Sequence, residues 1–299
     1  MRIASSQFQT VITNSIQMNQ EGVTYLTQQL ASGQRIQLPS DDPVGHVRVS
    51  RLNREQAIVG QYIDNIASVK VRLLKNENYL TSMVGDLGRA RDLLVWAADG
   101  SNAPADLNAM SASLVAMRDS IFYTANLKDQ EGRYMFSGTA TDVAPLTIDG
   151  AGQYQYSGNT ASQTVVVGNG INQVANVDVS GLETVLNQLN ATIAALAAPG
   201  ANPNNPATRL ILTTGLNGID TGMNALAGKI AIFGGAQNIL TTLESNHANV
   251  ALSNKMALTD IQSADMAAGI TDLNGYQLAL QATYKAYAKI GNLSLFDTI

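Results

Sequence analysis

Pro39-Ser40-Asp41-Asp42-Pro43-Val44-Gly45-His46 opens the stretch that decides the fold, and Gly100 closes it. Between them a step of seven from Leu52 meets Leu52, Val59, Ile66, Leu73, Leu80, Leu87 and Leu94, every one aliphatic. Three residues after each stand Glu55, Tyr62, Val69, Asn76, Met83, Ala90 and Ala97, mostly apolar with polar residues at the first and fourth places. A narrow apolar stripe of this period is the seam of a coiled coil. No proline lies between Val44 and Ala98. Asp42 is placed to cap the helix and Pro43 to be its first residue, where a missing N–H costs nothing, while Gly100 marks the stop. At about 1.5 Å per residue such a helix is roughly 85 Å long. The chain is therefore built around a long helix that needs helical partners along its length.

Upstream, residues 3 to 32 carry Ile12, Ile16, Val23, Leu26 and Leu30, with Asn19 in register, on a helix otherwise rich in Gln and Asn. So polar a helix depends on another to cover its stripe. Gly33 ends it, and a connector reaches Pro43. Downstream of Gly100, a turn at Ser101-Asn102-Ala103-Pro104 leads to a second helix expected to run to about Glu131. Its Met110, Leu114, Met117 and Ile121 let it fold back as an antiparallel hairpin.

From Gly132 the period changes. Tyr134–Ser137, Leu146–Ile148, Tyr154–Tyr156, Thr164–Val167 and Val174–Val179 read as short strands separated by glycines, with Gly168-Asn169-Gly170 as a hairpin turn. Leu182 to Ala198 returns to helix, Pro199 to Pro206 is a loop, and from Ala207 helix resumes to the end. Gly234-Gly235 predicts a kink or a close helix crossing, and Ser263-Ala264-Asp265 a second soft point. Leu273, Leu280 and Tyr287 form a last stripe seven apart.

The fold class expected is mainly α with a β-rich insertion. It is an elongated antiparallel helical rod with the N- and C-terminal helices paired and a small β domain at its far end. The divisions are residues 1–42, an N-terminal assembly helix and connector; 43–132, rod helices; 133–206, the β-rich insertion with a helix and loop; 207–262, a returning rod helix; and 263–299, a C-terminal assembly helix.

Composition excludes more than it proposes. There is no cysteine, hence no disulfide framework or thiolate metal site. Residues 1 to 140 hold 13 Lys and Arg against 13 Asp and Glu, and residues 141 to 299 hold 5 against 10, so neither half is a basic nucleic-acid surface. No run reaches the roughly 18 apolar residues of a membrane helix. The stretch Met1 to Thr10 lacks the apolar core of a signal peptide. His46 and His247 stand far apart in helical stretches, and no nucleophile motif or phosphate loop is present, so no catalytic, cofactor or metal site is expected.

Leu30-Ala31-Ser32-Gly33-Gln34-Arg35-Ile36, followed by Pro39-Ser40-Asp41-Asp42-Pro43, resembles the signature of the bacterial flagellins and their relatives. Gly235 to Leu240 and Asp260 to Ala267 are similar to that family's C-terminal blocks. Two stretches resemble the hook–filament junction branch, the type-3 hook-associated proteins, more than flagellins proper. One is Glu131-Gly132-Arg133-Tyr134-Met135-Phe136-Ser137-Gly138. The other runs from Ala279 to Tyr287 and on to Leu293-Ser294-Leu295-Phe296. Pro39 and Phe296 stand where flagellins prefer a small residue and leucine.

The resemblance implies a structural subunit of the bacterial flagellum that joins hook-associated protein 1 to the flagellin filament. It implies export as an unfolded chain through the flagellar type III system without a cleaved signal, and a chaperone on the C-terminal segment. The terminal helices would order only on assembly with flagellar neighbours, including copies of the same chain. It marks Arg35, Asp41, Asp42, Pro43, Gly132, Arg133, Tyr134, Phe136 and Gly138 as motif residues. A flagellin filament subunit and a secreted rod carrying a β-rich binding module are the alternatives.

Overall fold

The computed structural model describes the backbone from Arg2 to Phe296 and the side chains of residues 7 to 289. Its elements in chain order are helices α1 (Arg2–Ser32), α2 (Pro43–Ala97) and α3 (Pro104–Ala125), strands β1 (Leu146–Ile148), β2 (Tyr154–Tyr156), β3 (Thr164–Gly168) and β4 (Ile171–Val174), then α4 (Leu182–Ala197), α5 (Pro206–Gln262) and α6 (Met266–Phe296). The protein is mainly α with a small β insertion. No described helix is long and apolar enough to cross a membrane. The chain forms two compact units: unit 1 is Met1–Val59 with Asn249–Ile299, and unit 2 is Gly60–Ala248. Helices α2 and α5 each supply residues to both.

Unit 2 holds a continuous core. Ile66, Leu73, Leu80, Leu87 and Leu94 of α2 are fully buried. Against them lies a run that the sequence reading passed over: Leu212, Ile219, Leu226, Phe233 and Leu240 of α5, again seven apart and buried. A step of seven from Leu212 would have found it. Cross-links at Arg91–Asp220, Gln237–Glu77 and Lys70–Glu244 fix α2 and α5 as antiparallel neighbours. These part-buried pairs, still open to solvent, set register more than stability. The stabilisation comes from the leucines, at most about 1.5–3 kcal/mol for each side chain fully buried.

Helix α3 packs on α4 and stops at Ala125, six residues before the expected end. Just past its end, Asn126 Nδ2 donates to the Leu146 carbonyl while its Oδ1 accepts the Leu146 N–H, both at 3.0 Å. The side chain acts there as a neighbour to strand β1. Asn187 of α4 does the same for Tyr154 of β2 at 2.7 and 2.8 Å. The strands form two separate antiparallel hairpins, β1–β2 and β3–β4. Gly170, with φ of +71°, closes the expected turn after β3. Two-stranded sheets are marginal alone, and these are held by buried Leu146, Tyr154 and Val167. The last strand forms earlier than expected, at Ile171–Val174 rather than Val174–Val179. Residues after 174 turn inward instead, burying Ala175, Val177 and Val179.

Gly234 and Gly235 correct another expectation. Helix α5 runs through both without interruption, and a Cβ at either would meet nothing within 4 Å. The close approach falls at Gly215, Gly218 and Gly222, where added Cβ atoms would meet Thr192, Gln188 and Val185 of α4. The soft point near Ser263 is the break between α5 and α6, where Asp265 Oδ1 caps the new helix by accepting the Ala267 and Ala268 N–H groups, each at 3.0 Å.

Candidate assembly surface

Unit 1 is a different object. Among the described residues its buried hydrophobic side chains are Ile12, Ile36, Val49 and Val59, none of them fully. Helices α1 and α6 pair antiparallel: the Tyr276 ring lies against Gly22, Leu30 against Gly269, and Gln20 Nε2 donates to the Tyr284 hydroxyl at 3.0 Å. Ile12 is buried, Ile16, Val23, Leu26, Leu30, Leu273 and Leu280 are half-buried, and Tyr287 is exposed. Leu293, Leu295 and Phe296 lie outside the residues whose side chains are described. A two-helix pair covers one face of each member and no more. The uncovered faces carry apolar side chains among polar ones. Val11, Met18 and Tyr25, seven apart on α1, are exposed, as are Ile270 and Leu278 on α6. This second stripe was missed because its members are interleaved with glutamine and asparagine.

The two breaks that flank these helices are joined by a clasp. Gly33, with φ of +68°, ends α1. Its carbonyl then accepts the Ala264 N–H at 3.0 Å, and the Arg35 N–H donates to the Gln262 carbonyl at 2.6 Å, a short antiparallel bridge. The Arg35 guanidinium donates from Nε and Nη2 to the Ile261 carbonyl at 3.3 and 3.1 Å, and from Nη2 to Asp42 Oδ2 at 3.2 Å. One side chain thus satisfies an orphan carbonyl at the end of α5 and holds the N-cap of α2. Asp42 Oδ1 accepts the Gly45 N–H at 2.8 Å, with Pro43 as first helical residue. Asp41 Oδ2 accepts the Gln37 and Leu38 N–H groups at 3.0 and 2.9 Å, closing the connector on itself.

Both carboxyls are held below the usual range, Asp41 chiefly by the Leu38 N–H and Asp42 chiefly by the Gly45 N–H, each against an opposing desolvation, with Arg35 adding to the latter. Tyr25 is pushed up by desolvation and then by the neighbouring Asp41 charge.

The second motif lies in unit 2. Gly132, with φ of +79°, completes a turn in which Asp129 Oδ1 accepts the Glu131 and Arg133 N–H groups. Gly138, at φ of +70°, leaves no room for a Cβ beside the Asn159 carbonyl. Phe136 is fully buried and meets Tyr79 edge to face. Lys128 Nζ sits 4.6 Å above the half-buried Tyr134 ring, and Arg133 pairs with Glu131 at the surface. Arg133, Tyr134 and Gly138 line a cavity of about 250 Å³ together with Arg72, Lys75 and Asn76. His46 is exposed, whereas the ring of His247 stacks obliquely on Tyr62 and its Nε2 lies 2.9 Å from the Val167 carbonyl.

Residues 3–141 match the family model described as the bacterial flagellin N-terminal helical region. The chain is 29% identical over 290 residues to flagellar hook-associated protein 3 of Escherichia coli K12, covering 90% of each chain. It is 27% identical over 316 residues to the Salmonella typhimurium protein of the same name, covering 99% of each. A solved flagellar hook-associated protein structure from Vibrio parahaemolyticus superposes with a TM-score of 0.69 at 32% identity, covering 75% of this chain and all of that one. Together with the uncovered helices of unit 1, these likenesses define a structural protein of the bacterial flagellum that assembles with other flagellar proteins, and not an enzyme. Within that class, the chain belongs to the flagellin family and to its flagellar hook-associated members.

Proposed function

We propose that this chain is the adaptor of the hook–filament junction, seated between hook-associated protein 1 and the flagellin filament beside copies of itself. The observation that carries the reading is unit 1, whose helices leave apolar side chains open and, among the described residues, bury few. Burying one such side chain against a neighbour gains about 1.5–3 kcal/mol, while ordering each backbone residue costs about 1–2 kcal/mol. Order in this unit then depends on many neighbour contacts forming together. In this reading, residues 1–42 and 263–299 are the assembly helices, 43–132 and 207–262 the supporting helices, and 133–206 the insertion they carry. The same open stripes suit export as an unfolded chain through the type III channel, without a cleaved signal, with a chaperone covering Leu273, Leu280 and Tyr287 beforehand. The protein then works outside the cell, at the base of the filament.

Two measurements test this. Under conditions that polymerise flagellin, the purified chain alone should stay soluble; long filaments of this chain by itself would assign it to the filament instead. Removing residues 275–299 should leave unit 2 folded yet abolish incorporation into flagella. Normal motility with the truncated chain would show that α6 is not an assembly element.

A further inference from the structure

Among the described residues, the methionines divide sharply between the two units. Met18 on α1, Met256 near the end of α5 and Met266 at the start of α6, all in unit 1, are 70%, 62% and 47% exposed. Met83, Met110, Met117, Met135 and Met223, all in unit 2, are buried or half-buried against its core. A thioether on a flexible unbranched chain reshapes itself to fit a partner, which suits a surface that must accept neighbours of more than one kind. Met18 lies within the exposed stripe of Val11 and Tyr25 on α1. The chain has no cysteine to react in their place.

We infer that Met18, Met256 and Met266 are sites of reversible sulfoxidation by peroxide, and that their oxidation blocks docking of unit 1 onto its neighbours. The inference rests on the reading of unit 1 as an assembly surface. In the reaction the thioether sulfur attacks one oxygen of hydrogen peroxide and the O–O bond breaks. One oxygen stays on sulfur as the sulfoxide and the other leaves as water, so sulfur is oxidised by two electrons and the peroxide reduced by two. The product carries a strong S–O dipole where an apolar contact is required, and burying it without a donor opposes association. Once docked, the same side chains are covered, so sensitivity belongs to the subunit before assembly.

The test treats the full-length protein with hydrogen peroxide and follows each methionine by mass spectrometry. Met18, Met256 and Met266 should oxidise about tenfold or more faster than Met83 and Met110. Co-sedimentation with preformed flagellin filaments should fall by about tenfold or more after peroxide, and recover on treatment with methionine sulfoxide reductases of both stereospecificities plus dithiothreitol. A variant carrying Met18→Leu, Met256→Leu and Met266→Leu should bind equally before and after peroxide. Equal oxidation of all methionines, or full binding by the oxidised protein, overturns the inference and leaves the assembly reading standing. Failure of the untreated wild-type protein to bind overturns both, and the reductase arm decides the matter whatever the binding of the leucine variant.

Discussion

Leu73 and Leu74 are adjacent leucines on α2 with opposite surroundings, fully buried and 52% exposed. Truncating Leu73 to alanine removes a leucine from a packed interior, which costs about 2–5 kcal/mol. Leu73→Lys costs at least as much, because its ammonium must either be stripped of water or force the helices apart. For a unit of this size each kcal/mol lowers the melting temperature by about 2–4 °C, so the transition of unit 2 should fall by roughly 4–20 °C. Leu74→Lys, on the solvent side, should move it by no more than about 2 °C. The assay is calorimetry on each purified variant with hydrogen exchange in α3 and α4, elements that belong to unit 2 alone. Leu52→Lys, on the same stripe but half-buried in unit 1, should cost less than Leu73→Lys. Equal losses from Leu73→Lys and Leu74→Lys, or an unchanged transition in the first, would mean that the heptad phase along α2 is misassigned.

Glycine positions give a paired test: Gly222→Ala places a Cβ 2.8 Å from Val185 Cγ2 and should destabilise unit 2 by about 1–3 kcal/mol. Gly234→Ala, meeting open space, should stabilise α5 by up to about 1 kcal/mol, and thermal melts of the two variants moving together would refute the close crossing at Gly222. The clasp makes a pH prediction. Because the carboxyls of Asp41 and Asp42 are depressed, the stability they add is complete above the ordinary carboxylate value of about 3.9 and fades as pH falls through their lowered values. The Leu38 and Gly45 amide shifts should therefore titrate with midpoints below about 3.9, and a midpoint at or above it would contradict the clasp. Arg35→Ala should speed hydrogen exchange at the Ala264 amide, since the bridge to Gly33 loses its support; unchanged exchange there would show that the backbone bridge stands without the guanidinium.

What was legible in the sequence was whatever the chain states over a few neighbouring residues. The stripe from Leu52 to Leu94, the cap at Asp42, the turn at Gly168–Gly170 and the break near Ser263 rest on helical period, a carboxylate three residues from an amide, or backbone freedom, and each is closed within one turn. The clasp residues form a motif along the chain, but nothing in that motif says that Arg35 reaches the carbonyl of Ile261, 226 residues away. Only tertiary structure decided what Asn126, just past the end of α3, binds, because its pairing with Leu146 exists only when β1 is beside it. It likewise decided that Gly215, Gly218 and Gly222 receive α4 while Gly234 and Gly235 face open space. A glycine pair looks the same in either setting; what differs is which atoms arrive from elsewhere in the chain. The exposure of Met18, Met256 and Met266 belongs to the same class of fact, since a helical stripe shows where a side chain lies around its own axis and not whether anything covers it.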